Sequence, residues 1–245
     1  MPAYEARTPW KPIEALAVLV IILLLSIGLA RLLARLTDGA PGPLAEILSL
    51  GDVLSPALIV ILTLGTSMLR GGRLRDVLAL RSPARGWRSY AGAALLWVLV
   101  PVLIATALVV VVVVSSSMGQ GETLQESLEG DYRIMQSLDA QWSLIVLFAP
   151  VSEELLFRGF LLSALAQTRL GFWGAAIAST GLWTALHAYS LVGLAKVFGF
   201  GLFLSWLLWR TGSLRVTIFC HVLNNSVMLL LMLALQRLMD LPAPQ

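Results

Sequence analysis

From Ala91 to Val114 the chain runs for 24 residues without one charged side chain. An α-helix rises about 1.5 Å per residue, so a run of that length crosses a hydrocarbon core of roughly 30 Å. Such runs recur, and they predict seven spans: Pro12–Leu33, Val53–Leu69, Ala91–Val114, Trp142–Leu165, Phe172–Tyr189, Leu191–Trp209 and Leu214–Leu235. Charged residues make up only 13% of the chain, about half the share of a soluble domain. The expected fold is therefore an all-α, polytopic transmembrane helical bundle. No repeat is evident at a period of 20 to 50 residues.

Basic residues set the expected orientation, because cytoplasmic loops collect lysine and arginine. With the N-terminus inside, Arg7, Lys11, Arg169, Arg210, Arg215 and six arginines of one short connection (Arg70, Arg73, Arg75, Arg81, Arg85, Arg88) are cytoplasmic. Only Arg31, Arg35, Arg133 and Arg237 then fall outside, with the acidic connection Ser115–Gln141. The chain is thus expected in the plasma (inner) membrane, N-terminus cytoplasmic. The net charge of +3 is concentrated in a loop where a topology signal or contact with anionic lipid accounts for it. No nucleic-acid recognition motif accompanies it, so nucleic acid is not an expected partner. The one cysteine, Cys220, excludes an intrachain disulfide and a cysteine metal cluster, and reads as a small core hydrophobe.

The first three spans are almost free of charge; the last four are not. The fourth holds Ser152-Glu153-Glu154-Leu155-Leu156-Phe157-Arg158, and insertion scales charge about 2.5–3.5 kcal/mol for each such ionised residue at mid-membrane. Glu154 and Arg158, at i and i+4, share a helix face and can pair. Glu153 is rotated about 100° away and keeps a carboxylate for another task. The only two histidines lie in Trp183-Thr184-Ala185-Leu186-His187 and in His221-Val222-Leu223-Asn224-Asn225. Counted from Arg169, Glu153 and His187 reach similar depth in an antiparallel hairpin, and His221 comes out shallower by about two turns unless its helix is tilted or starts deeper.

Two chemistries use these residues. A glutamate with an imidazole sharing the proton can activate water, while a second imidazole and a carboxamide bind the oxyanion of a tetrahedral intermediate. Alternatively Glu153, His187 and His221 could supply three ligands of a catalytic zinc, although no H-E-x-x-H motif is present. A purely structural ion cluster is the competing explanation of Glu153, Glu154 and Arg158, and it leaves one carboxylate without a partner. Trp183 is expected to pack around His187, Asn224 to be structural, and Lys196 to snorkel to the interface.

In these residues the chain resembles the CAAX prenyl endopeptidases and their bacterial relatives, the Abi or CPBP intramembrane proteases. That family carries Glu-Glu-x-x-x-Arg, aromatic-x-x-x-His and His-x-x-x-Asn motifs in order; here they are Glu153-Glu154…Arg158, Trp183…His187 and His221…Asn225. The second motif usually opens with phenylalanine, so Trp183 is a departure, one expected to affect packing more than chemistry. The resemblance covers residues 141–235 and implies catalytic roles for Glu153, Glu154, His187, His221 and Asn225, with Arg158 and Trp183 in support. Glu153 would activate water with help from His187, His221 and Asn225 would bind the oxyanion or hold the water, and zinc is an open option. Residues 1–140 are then a three-span region with the basic loop and residues 141–235 a CAAX-protease-like core, together one structural domain.

The expected function is an intramembrane endopeptidase acting on a membrane-associated protein or peptide, as in CAAX-type or leader-peptide processing. A proton-coupled transporter is the rival from another class, but paired halves with broken helices are not seen. A catalytically silent scaffold or immunity protein is the second rival, and the intact motifs count against it.

Overall fold

The computed structural model describes residues 4–5, 7–37, 51–99, 144–187 and 189–239. Every regular element among them is helical. The helices are α1 (Pro12–Thr37), α2 (Gly51–Leu69), the short α3 (Leu74–Val77), α4 (residues 87–99), α5 (residues 144–165), α6 (Gly171–Ala185), α7 (Leu191–Thr211) and α8 (Leu214–Met239). The outer half of the expected third span and the acidic connection Ser115–Gln141 lie outside the described residues.

Local signals place the ends. At the start of α1, Pro12 follows Lys11, whose backbone N–H donates to Glu14 Oε2 at 2.8 Å. This is the reach-back of a capping box, with proline where its missing N–H costs nothing. Ser190 caps α7 by accepting from Gly193 N at 3.1 Å, and Gly212, at φ 64°, ends it in the left-handed conformation that glycine adopts without strain. Pro150 cannot donate to the preceding turn, and α5 opens there into π-type turns over Leu144–Phe148, which recur over Glu154–Leu162.

α5 is the axis of the bundle. From Glu154 to Leu165 every side chain is buried, which a helix achieves only when neighbours surround it. α1, α2, α6 and α8 pack on it, and α7 closes against α6 and α8. α6 runs antiparallel to it, with Ser179 Oγ donating to the Phe157 carbonyl at 2.8 Å. α4 and α8 run parallel: Tyr90 meets Phe219 edge-on at 5.4 Å, and one further stretch along both helices Trp97 Nε1 donates to Asn224 Oδ1 at 3.1 Å.

Two described segments, Pro12–Leu29 and Leu191–Thr211, are long and apolar enough to cross a membrane; Pro56–Leu69 and Leu214–Leu230 are shorter apolar helices. Seven full spans are thus matched only in part. α5 carries three charged side chains, and α6 stops at Ala185 instead of continuing to Tyr189. α6 stops because its last turn tightens: Leu186 N and His187 N donate three residues back, and the His187 ring bonds the Trp183 carbonyl at 2.9 Å. Outward-facing Ile13, Val20, Ile21, Leu24 and Ile27 of α1 are exposed, a larger apolar stripe than a soluble surface carries.

Of the depths left open for His221, the structure has the deeper one, beside Glu154 and Glu153. α8 starts deep, because Leu214 is fully buried and a Cβ on Gly159 would come within 3.0 Å of its side chain. The arginine-rich connection sets that depth through its backbone. Ala79 O accepts from Leu214 N at 2.8 Å, Arg81 O from Ser213 Oγ at 2.6 Å, and Leu80 O from Arg215 Nε at 2.8 Å. Ala79 itself adopts a positive φ of 50°, a conformation that costs a non-glycine residue on the order of 1 kcal/mol and persists where its surroundings over-determine it.

The segment before α1 is strapped to the axis. Tyr4 Oη bonds Ser163 Oγ at 2.6 Å, and burial pushes the phenol up to about 12. Trp10 stacks on Phe160 with ring centres 4.5 Å apart and donates Nε1 to the Phe160 carbonyl at 3.2 Å. Trp10→Ala should lower the thermal unfolding midpoint of the detergent-solubilised protein, at a cost of about 3 kcal/mol or more for a buried tryptophan. An unchanged midpoint would show that the strap adds nothing.

Candidate active site

The expected ion pair forms, and it is fully buried. Arg158 Nη1 donates to Glu154 Oε1 at 2.9 Å, with both side chains 0% exposed. The same oxygen accepts from His221 Nδ1 at 3.0 Å. An ionised carboxylate only accepts, so His221 carries its proton on Nδ1 and turns Nε2 the other way. Nε2 points toward Glu153, 3.9 Å from Oε2, too far for a direct hydrogen bond. Glu153 is the accessible acid, with its side chain 24% exposed.

Trp183 joins these groups. Its Nε1 donates to Glu153 Oε2 at 2.7 Å. Its face covers the Arg158 guanidinium, with the carbon 4.3 Å from the ring centre; Arg158 Nε and Nη2 find no hydrogen-bond acceptor among the described residues. A cation over an aromatic face is stabilised by the ring quadrupole. The ring edges meet His187 and His221 at 5.0 and 5.5 Å. α7 makes room for this stack with Gly201. A Cβ there would lie 2.7 Å from Arg158 Nη2, 2.9 Å from Trp183 Cζ3 and 2.6 Å from Thr180 Cγ2.

His187 sits just past the end of α6, partly exposed, with its ring stacked on Tyr189 at 5.7 Å. The Trp183 carbonyl can only accept, so His187 donates from Nδ1 and turns Nε2 away from its own helix. Asn225 lies one turn beyond His221 on α8, its Oδ1 accepting from Asn224 Nδ2 at 3.1 Å.

The fold therefore brings Glu153, Glu154, Arg158, Trp183 and His221 into one connected group, ties His187 to it through Trp183, and places Asn225 a turn away. Two expectations are extended. Trp183 packs against His187 and is also a hydrogen-bond donor to Glu153, a role phenylalanine cannot fill. Asn224, expected to be structural, accepts from Trp97 and donates to Asn225. Tryptophan in place of phenylalanine was the visible signal for the first; the second depends on α4, and its sequence signal was only two adjacent asparagines.

Among the described residues no three histidine, cysteine, aspartate or glutamate side chains are placed to hold a metal ion. Glu153 Oε2 accepts from an indole N–H, and both imidazoles direct Nδ1–H at fixed acceptors, an arrangement that turns each Nε2 elsewhere.

Residues 136–227 match the family model described as Type II CAAX prenyl endopeptidase Rce1-like, which bears out the resemblance read from the three motifs. That stretch contains every residue from Glu153 to Asn225. No curated protein and no solved structure matches the chain.

Removing one partner of a buried ion pair leaves an uncompensated charge and costs about 3–5 kcal/mol. Arg158→Ala should accordingly lower the unfolding midpoint and the yield of folded protein. A variant as stable as the parent would show that Glu154 is neutralised by something other than Arg158.

Proposed function

We propose, from an Rce1-like domain of CAAX-protease type over residues 136–227, that this chain is an intramembrane endopeptidase hydrolysing a peptide bond of a membrane-associated protein or peptide. The observation that carries the reading is the division of labour between two adjacent glutamates. Glu154 is sealed in an ion pair, whereas Glu153 is partly exposed, held by an indole N–H and faced by an imidazole nitrogen.

In this reading Glu153 takes a proton from water as it attacks the scissile carbonyl, and returns it to the departing amine. His187 offers Nε2 as the atom that shares that proton. His221, its Nδ1–H given to Glu154, turns Nε2 toward the site and helps hold the water as an acceptor, while the Asn225 carboxamide donates to the oxyanion. Donors held at the place where charge develops lower the barrier without reorganisation. The Trp183 N–H keeps Glu153 in one orientation between attacks. A bundle crossing the inner membrane with its N-terminus in the cytoplasm agrees with the apolar outer stripe of α1 and with the arginines gathered at the α2–α4 connection.

The deciding experiment is cleavage by the purified protein of a panel of membrane peptides, prenylated CAAX peptides and leader peptides included, with bound metal quantified. Glu153→Gln should abolish cleavage and leave the unfolding midpoint unchanged; retained cleavage would remove Glu153 from the mechanism. Trp183→Phe keeps an aromatic face over Arg158 and loses the N–H. A hydrogen bond to a charged group contributes about 1.5–3 kcal/mol, so this variant should cleave at least about tenfold more slowly. Full activity would return Trp183 to a packing role.

A further inference from the structure

We infer that Trp97, on α4 and outside the family-matched residues, is a positioning residue that orients the carboxamide of Asn225. The inference rests on the endopeptidase reading for its consequence, and on hydrogen-bond polarity for its logic. An indole N–H is a donor only, so a carboxamide facing it must present its oxygen. Trp97 Nε1 donates to Asn224 Oδ1 at 3.1 Å. With its oxygen thus committed, Asn224 presents Nδ2 to its neighbour, and Asn225 Oδ1 accepts from it at 3.1 Å. Asn225 is thereby turned so that Nδ2, its donor, is the group directed away from Asn224. A donor is what a developing oxyanion requires; the flipped amide would oppose it with a carbonyl.

The relay spans two helices that run parallel and are held together by the Tyr90–Phe219 contact at 5.4 Å. A helix from the N-terminal half thus bears, through Asn224, on which amide atom Asn225 turns away from its neighbour.

A double-mutant cycle tests this. Asn225→Ala removes an oxyanion donor, which costs on the order of 10²–10³ in kcat. Trp97→Phe should lower kcat by a smaller factor, leave KM unchanged, and cause no further loss in the Asn225→Ala background. Additive losses, or full activity of Trp97→Phe, would overturn the inference. Asn224→Asp supplies a variant that keeps the acceptor for Trp97 and replaces the donor to Asn225 with an acceptor. It should lower kcat while the Trp97 indole resonance stays in place in ¹⁵N-indole-labelled protein, where the eight tryptophans are assigned by single Trp→Phe variants. Asn224→Leu should move that resonance. If the parent protein cleaves no peptide, the endopeptidase reading fails and the resonance alone judges the relay: a Trp97 signal indifferent to Asn224→Leu refutes it, and a displaced one upholds it.

Discussion

The pairing of Glu154 with Arg158, both wholly out of contact with solvent, is the interaction on which the rest of this structure depends. Two charges in a low-dielectric bundle are costly to desolvate, and their attraction offsets that cost only with good geometry and further hydrogen bonds. Each supplement here has a second consequence. The His221 Nδ1–H that helps satisfy Glu154 also fixes the imidazole tautomer and aims Nε2 at Glu153. The Trp183 ring that covers Arg158 also carries the N–H that holds Glu153. Stabilising the buried pair therefore places the groups around the accessible acid. Gly201 belongs to the same solution, because only the absence of a Cβ lets α7 close over the guanidinium.

Much of this was legible in the sequence, and what was not has physical reasons. Uncharged runs announced a helical membrane protein, and i, i+4 spacing separated a paired Glu154 from an available Glu153, because both follow from local helix geometry. The depth of His221 stayed open because residues were counted from one loop at a constant rise. α8 does not begin at the level that counting assumes; tertiary hydrogen bonds from Ala79, Leu80 and Arg81 hold its start lower. The early end of α6 was hidden as well, since it arises from a tightened last turn and a histidine bonding back to its own helix. The donor role of Trp183 could be suspected only from an indole standing where phenylalanine is usual.

Two indole N–H groups share one function in this site. Each is a donor with no accepting capacity, and each meets a side chain that could otherwise settle in more than one orientation: a carboxylate at Glu153, a carboxamide at Asn224. Rigid donors of a single polarity are suited to the interior of a bundle, where water is scarce and cannot correct a misdirected amide. Imidazoles are constrained in the same spirit, by acceptors that leave them no choice of which nitrogen to protonate.

The bonds from Ala79, Leu80 and Arg81 to the beginning of α8 also impose an order in time. The basic connection leaves the ribosome long before the segment that it must seat, and the helix carrying His221 and Asn225 is made after α5 and α6. Until that helix arrives and takes its amide and hydroxyl partners, the carbonyls of the connection wait unpaired and Glu154 lacks its imidazole. Assembly of the acid–imidazole group therefore waits for that helix, well after Glu154 has been made.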